Sequence, residues 1–377
     1  MNCLRPLLFC ASLLFAASLH AQPIPAPPST PSKSHILMDA ATGRVLAEKN
    51  ADEPLSPASL TKIMTGYVVY KALADGSISL EDETEVSERV WRMGGSQMFL
   101  EVGDRVSVDQ LLDGLVVQSG NDAALALAEY VGGSESAFVE QMNYYADQLG
   151  LENTHFMNPE GLSHEEHYAS ARDLAILARH TVNEFPERYE RYDKRSFTYN
   201  DIPQYNRNDL LYSTDYVDGM KTGYTADAGY CLVASGERDG MRLISVVMGS
   251  PSPDARESAS RSLLSWGYRF YGSHHLYAAG EVLNEAVVWQ GARDTLRLGL
   301  QQDMHVTIPK RRYEDLEANM EFPEQLIAPF DQGEQVGQVR VTLDGETVAE
   351  APLVALDGVP PGSFLERMGD AIMLWFQ

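Results

Sequence analysis

The 377-residue chain is 44% apolar and 22% charged, an ordinary globular balance with room for two or three domains. Its formal charge of −25 repels polyanions, so nucleic acid is set aside as a partner and the charge reads as a solvated acidic surface.

Arg5 gives a short positive start, Leu7 to Leu19 is mostly apolar, and Leu19-His20-Ala21 ends in a small residue. This is the pattern of a cleaved export signal over residues 1–21, and the apolar run is short for a membrane span. Leu7-Leu8-Phe9-Cys10 faintly suggests a lipoprotein signal but lacks a full apolar run before Cys10. Cleavage after Ala21 removes Cys3 and Cys10 and leaves Cys231. A lone cysteine forms no internal disulfide, and its place in Tyr230-Cys231-Leu232-Val233-Ala234 predicts a buried structural thiol.

Residues 22–34, rich in Pro, Ser and Thr, read as a linker. Ser34 to Asp39 alternates as a strand, Ala41 to Arg44 is a turn, and Val45-Leu46-Ala47 opens a second strand, giving a hairpin at a sheet edge. From Ser59, Ile63, Met64, Tyr67, Val68 and Leu73 recur at helical spacing until Asp75-Gly76. Further helices are predicted around Val108–Leu115, Asp122–Tyr130, Ser136–Leu149 and Ala171–Arg179. Strands follow at Tyr230–Ser235 and Leu243–Met248, then a long helix over Arg256–Tyr271. Helices between an early hairpin and late strands argue for one α/β domain over residues 35–272, its sheet joining both ends of the segment. The turn Glu237-Arg238-Asp239-Gly240 makes the late strands antiparallel.

Beyond Tyr271 short alternating runs at Val282–Gln290, Thr295–Leu300, His305–Ile308 and Val336–Leu343 predict a small all-β domain over residues 273–359. Pro360-Pro361-Gly362 breaks the chain. Phe364, Leu365, Met368, Ala371, Ile372, Trp375 and Phe376 then share one helical face, with Glu366, Arg367 and Asp370 on the other. Residues 360–377 are thus an amphipathic stretch able to lie in a bilayer interface, or to pack on protein. The polar face has no Lys and Arg excess, so attraction to anionic lipid should be weak.

Three short motifs occur in order: Ser59-Leu60-Thr61-Lys62, Ser119-Gly120-Asn121 and Lys221-Thr222-Gly223. Each alone has a local explanation: a helix cap and a solvated lysine, an Asn cap with a turn glycine, an exposed base before a turn. Together they describe chemistry. Ser59 and Lys62 lie one helical turn apart on one face. A serine hydroxyl needs a base, and Lys62 can act as one only if its amine loses its proton far below the reference pKa of about 10.4. Burial, a helix N-terminus and a second cation such as Lys221 would all push it there. Gly223 lets a substrate backbone approach the strand closely.

These residues resemble the low-molecular-mass penicillin-binding proteins, specifically the D-alanyl-D-alanine carboxypeptidases. The resemblance extends to Pro57 through Thr65, Gly95-Ser96-Gln97-Met98-Phe99-Leu100, Gln118 through Ala123, Asn158-Pro159-Glu160-Gly161-Leu162 and Tyr168 through Asp173. The motif set is a general signature of penicillin-binding proteins and the related β-lactamases. The resemblance implies a β-lactamase/transpeptidase-like α/β domain with an antiparallel sheet and helices, then the all-β domain and the tail helix. It implies Ser59 as nucleophile toward peptidoglycan stem peptides, Lys62 as its base and Ser119 as a proton relay. It implies that Asn121 holds Lys62 and the substrate amide, and that Lys221 and Thr222 meet the terminal carboxylate. Gly223 and Tyr224 would line the substrate edge, the Ser59 and Tyr224 N–H groups forming an oxyanion hole. Arg256 matches a family arginine near the carboxylate, a helix-surface ion pair being the alternative. β-Lactam antibiotics should acylate Ser59 and leave slowly. The tail helix would attach the enzyme to the outer face of the cytoplasmic membrane, in the periplasm.

No cofactor or metal is expected. The nine histidines are scattered, and neither His164-Glu165-Glu166-His167 nor His274-His275 has zinc-protease spacing. The rival readings are a D,D-endopeptidase of cross-links, a β-lactamase, for which no deacylation base is evident, and an inactive wall-binding scaffold.

Overall fold

The computed structural model describes residues 24–375, so the expected export signal lies outside the described residues. The early hairpin forms as β1 (Ser34–Asp39) and β2 (Val45–Lys49). Strands β3 (Val217–Thr225), β4 (Gly229–Arg238) and β5 (Met241–Ser250) complete an antiparallel sheet in the order β2-β1-β5-β4-β3. β1 lies against β5, with Leu37 opposite Ser245, so the two ends of the segment close one sheet as expected. Asp239 and Gly240 turn the chain between β4 and β5, both at positive φ (53° and 75°), the geometry a tight right-twisted hairpin requires.

Because side chains alternate across a strand, both sheet faces carry a core. Cys231, Val233, Ile244 and Val246 point to the larger one, shared with helices α1 (Lys62–Ala74), α2 (Val108–Asp113), α3 (Asn121–Gly132), α4 (Glu135–Gln148) and α5 (Ala171–Glu184). Leu232, Leu243 and Val247 face the other way, against Leu263 and Leu264 of α6 (Pro253–Phe270). Helix α6 begins three residues before the expected Arg256, with Ser252 accepting the Ala255 N–H as its cap. Cys231 is fully buried and burial pushes its thiol up to about 11, which fits the structural reading.

At Tyr271 the chain enters β6 (Tyr271–Tyr277) of the second region, followed by β7 (Asn284–Trp289), β8 (Thr295–Gly299), β9 (Met304–Pro309), β10 (Leu316–Glu321), β11 (Leu326–Ile327), β12 (Gln335–Leu343) and β13 (Glu346–Ala355). Six strands form one sheet in the order β10-β12-β13-β8-β7-β11, and β6 pairs with β9. There are more strands than the alternation indicated. In β10 almost every residue is exposed, so no apolar period marks it; its backbone is held by pairing to β12 alone. The two regions meet where the β1–β2 turn touches β9: Thr42 Oγ1 lies 2.8 Å from Thr307 Oγ1, and Arg44 donates to the Thr307 carbonyl at 2.5 Å.

The tail forms helix α7 (Phe364–Trp375), with no buried residue among those described. Phe364, Leu365, Met368 and Ile372 are exposed, while the Asp370 carboxylate accepts the Gln290 N–H of the β7 end at 2.6 Å. Among the described residues no helix is long and apolar enough to cross a membrane.

Candidate active site

The first motif sits where a short 3-10 turn (Ala58–Thr61) runs into α1. This places Ser59 one turn before Lys62 with both side chains on the side that meets β3. Lys62 is 1% exposed, a position that an amine holds only with full hydrogen bonding. Its Nζ reaches Ser59 Oγ at 3.1 Å, Asn121 Oδ1 at 2.8 Å and the Glu160 carbonyl at 2.6 Å. As an ammonium it fills all three acceptors. As a free amine its two N–H bonds satisfy Asn121 and Glu160, and its lone pair faces the Ser59 hydroxyl. Burial favours the amine and holds Lys62 below the usual lysine range; the Glu160 and Asp122 carboxylates oppose this, and Arg207 adds to it. The Glu160 carboxyl is in turn pushed up by burial against the pull of Lys62, and its Oε2 has no protein partner.

The second motif comes off a π-helical turn (Gly114–Gln118) that ends with Ser119 in the left-handed region, φ 63°. Such a conformation in a non-glycine residue is uncommon and concentrates at functional sites. Gly120, not Asn121, is the cap of α3, and no side chain caps it. That overturns the local reading of Asn121 as a cap and frees its amide: Oδ1 accepts from Lys62, and Nδ2 donates to the Gly94 carbonyl at 2.7 Å. The neighbouring Asp122 is 1% exposed and accepts the backbone N–H groups of Met98, Phe99 and Leu100 at 3.0 to 3.3 Å. One carboxylate thereby pins the whole 98–100 loop against the second motif.

The third motif lies on β3, the edge strand of the sheet, so one row of its backbone groups is not used by β4. A Cβ at Gly223 would sit 3.0 Å from the Pro57 carbonyl and 3.2 Å from the Ser59 nitrogen. Glycine is therefore what lets the strand close on the Ser59 turn. Lys221 is 2% exposed, donates to the Thr222 carbonyl at 3.1 Å, and is held well below its ordinary pKa by burial, then by Lys62, Arg207 and Arg256. Thr222 is buried beside it. Tyr224 is exposed, and its ring stacks on Tyr230 at 4.4 Å.

Arg256 is also buried, which removes the helix-surface reading. Its Nη2 stands 3.6 Å from Glu257, too long for a hydrogen bond, and its Nε has no protein partner. Burial lowers its pKa, as it does for Lys221. Buried Lys221 and Arg256, with the exposed Arg207 near enough to act on Lys221, give a cationic surround suited to a carboxylate, although Glu257 and Asp209 partly offset Arg256. Sequence reading named two of these and missed Arg207, which no motif marks.

Two family profiles match the chain. One, described as D-alanyl-D-alanine carboxypeptidase, matches residues 21–252; the other, described as the penicillin-binding protein 5 C-terminal domain, matches residues 271–361. The chain is 42% identical to the Escherichia coli K12 D-alanyl-D-alanine carboxypeptidase DacA over 361 residues, 94% of this chain and 90% of that protein. It is 37% identical to DacF of Bacillus subtilis, over 90% of both chains. Its fold matches crystal structures of penicillin-binding protein 5 from Haemophilus influenzae with a TM-score of 0.85 and 42% identity, covering 89% of this chain and 99% of that one. The convergence of three motifs, matching profiles over both domains and relatives of this similarity along nearly the whole length lead to one conclusion: the chain belongs to the D-alanyl-D-alanine carboxypeptidase family.

Proposed function

We propose that the protein removes the terminal D-alanine of peptidoglycan stem pentapeptides through an acyl-enzyme on Ser59. The Lys62 amine takes the hydroxyl proton as Ser59 Oγ attacks the carbonyl between the two D-alanines. The Ser59 and Tyr224 N–H groups hold the oxyanion. As the C–N bond breaks, Ser119 passes the proton from Lys62 to the departing amine, and free D-alanine leaves. Water then attacks the ester, and the Ser59 hydroxyl is restored. Lys221, Thr222 and Arg256 hold the terminal carboxylate, and Asn121 fixes Lys62 beside the substrate amide. A β-lactam presents the same carboxylate and strained amide and acylates the same oxygen.

The observation that carries this reading is the buried Lys62 amine, 3.1 Å from Ser59 Oγ and held by Asn121 and the Glu160 carbonyl. Its test is mass spectrometry of the intact protein after penicillin, followed by peptide mapping. The expected result is one adduct on Ser59, absent in Ser59→Ala together with D-alanine release. Retained release by folded Ser59→Ala would remove the mechanism. Side-by-side incubation with pentapeptide monomers and cross-linked dimers should give faster release from the monomers.

We further propose export to the periplasm by residues 1–21, catalysis by residues 35–272, support by residues 273–359, and membrane attachment by residues 360–377. The exposed apolar side chains of Phe364, Leu365, Met368 and Ile372 support the last assignment. Deleting residues 363–377 should free the protein from membranes with peptidase activity intact. An unchanged membrane fraction would overturn the anchor.

A further inference from the structure

Away from the three motifs, one group of side chains among the described residues has ligand chemistry that the peptidase reaction does not use. In the β6–β9 pair His275 stands directly opposite His305. Directly opposed residues project to the same face with Cβ atoms about 4.5–5.5 Å apart, and here the imidazole centroids lie 4.9 Å apart. Asp303, at the entry to β9, brings its Oδ1 to 3.8 Å from His275 Nε2. One donor atom from each of the three residues lies within 4.8 Å of the others.

The carboxylate is already oriented, because Asp303 Oδ1 accepts the Ala279 N–H at 2.8 Å. A backbone donor behind a ligand oxygen is the support that metal sites use to fix their first ligands. The group borders a cleft of ≈ 460 Å³ lined by Thr42, Gln302, Asp303, His305 and Glu350, among others. That cleft leaves room for a fourth ligand from solvent.

We propose that His275, Asp303 and His305 bind one divalent transition-metal ion of the zinc type, with three protein ligands and one position open to the cleft. Imidazole nitrogens with one carboxylate suit zinc better than magnesium or calcium, which take oxygen ligands. Zinc–ligand bonds of about 2.0–2.1 Å place tetrahedral ligands roughly 3.3 Å apart. Closing from the present spacing needs only small side-chain rotations on two paired strands. The location gives the ion a mechanical role. Strand β6 continues directly from α6, and β9 carries Thr307, which bonds Thr42 and Arg44 of the catalytic domain. A bound ion would tie the exit of the catalytic domain to the strand on which that domain rests.

The test uses the untagged full chain, stripped with a chelator and titrated calorimetrically with Zn²⁺. The expected result is one site per chain with a micromolar dissociation constant, and a rise in the melting temperature on saturation. His275→Ala and His305→Ala should each weaken binding at least about tenfold, as lost ligands or their supports do, and should abolish the thermal shift. Penicillin acylation of both variants should stay at the parent rate, which reports that they are folded. Titration with Co²⁺ should give a visible ligand-field band in the parent that is lost in His305→Ala. The variant His155→Ala/His164→Ala, which removes one half-buried and one exposed histidine elsewhere, should bind like the parent. No binding by the parent below millimolar Zn²⁺, or equal binding by the parent and a folded His275→Ala/His305→Ala variant, would overturn the site.

Discussion

The two regions of the molecule treat polar groups in opposite ways. In the catalytic region Lys62, Lys221, Arg256, Glu160, Asp122, Asp173 and His167 are all buried. In the β region Thr307 is, among the described residues, the one polar residue buried as a whole, and that threonine belongs to the contact between the regions. Ionisable groups such as Arg340, Glu321 and Glu350 instead pair across the outside of the sheet. Buried charge is costly and persists where geometry holds it, so the contrast marks the first region as the one suited to chemistry. Substitutions that test the contrast should therefore differ sharply in effect between the two regions.

The largest effect is expected at Lys62. Lys62→Met keeps the length of the side chain and removes the amine, while Lys221 and Arg256 stay buried nearby. Acylation by penicillin should fall by about 10²–10⁴-fold, the usual range for a positioned general base, with the circular dichroism spectrum unchanged. A rate near the parent's would separate burial from chemistry and end the comparison. The parent's pH profile sharpens the same point. The base must be unprotonated, and burial moves its titration below the ordinary value of 10.5. Acylation should thus rise with pH and level off below the usual lysine range. The groups around Lys62 that shape that limb are Glu160, Asp122, Arg207 and Lys221.

Next comes Gly161, which has φ +87° and whose added Cβ would lie 1.9 Å from the Ala58 carbonyl, directly before Ser59. Backbone cannot give way there as a flexible side chain could. Gly161→Ala should cost about 3–5 kcal/mol, the range of backbone strain with a core clash, and should slow acylation by displacing the serine turn. A melting temperature equal to the parent's would mean that the turn is far softer than its packing indicates.

His167 offers a smaller, pH-dependent effect. Met157 donates its backbone N–H to His167 Nδ1 at 3.0 Å, so that nitrogen carries no proton, and Nε2 lies 2.8 Å from Thr61 Oγ1. Burial, helped by the nearby His155 and His164, lowers the ring to about 4 from 6.5. Between those values the unfolded chain takes up a proton that the folded ring refuses. Stability is full above about pH 6.5 and is lost as pH falls toward about 4, by on the order of 3 kcal/mol. Denaturant titrations at steps across that window should show the slope, and His167→Gln should flatten it. An equal slope in the variant would assign the acid loss to other groups.

What could be read from the sequence follows the same division. The Ser59 turn, the second bend and the β3 glycine could be picked out as a set because each keeps a particular residue type at a particular spacing. The sheet that joins the ends was legible from its apolar alternation. Arg207 was not, because a lone arginine acting through space leaves no periodic or motif signal. The Asp122 clamp was hidden for a related reason: its partners are backbone N–H groups, which every sequence supplies. Strand β10 was invisible because its side chains face water, and the His275–His305 pair emerged only once strand register was known.

The smallest effect belongs to the β region. Arg340 bridges Glu321 and Glu350 at 2.9 and 3.1 Å, a geometry that on a drawing looks as firm as that of Lys62. Water reaches all three side chains, so the charges are screened and long side chains lose rotamer freedom to hold the pairs. Arg340→Ala should leave the melting temperature and penicillin acylation indistinguishable from the parent at physiological salt. At low salt a slight loss of stability should appear, because screening then relaxes. A loss as large as that expected for His167 would mean that the outer charges of the β sheet form a cooperative network. The β region would then hold its charges as cooperatively as the first region does.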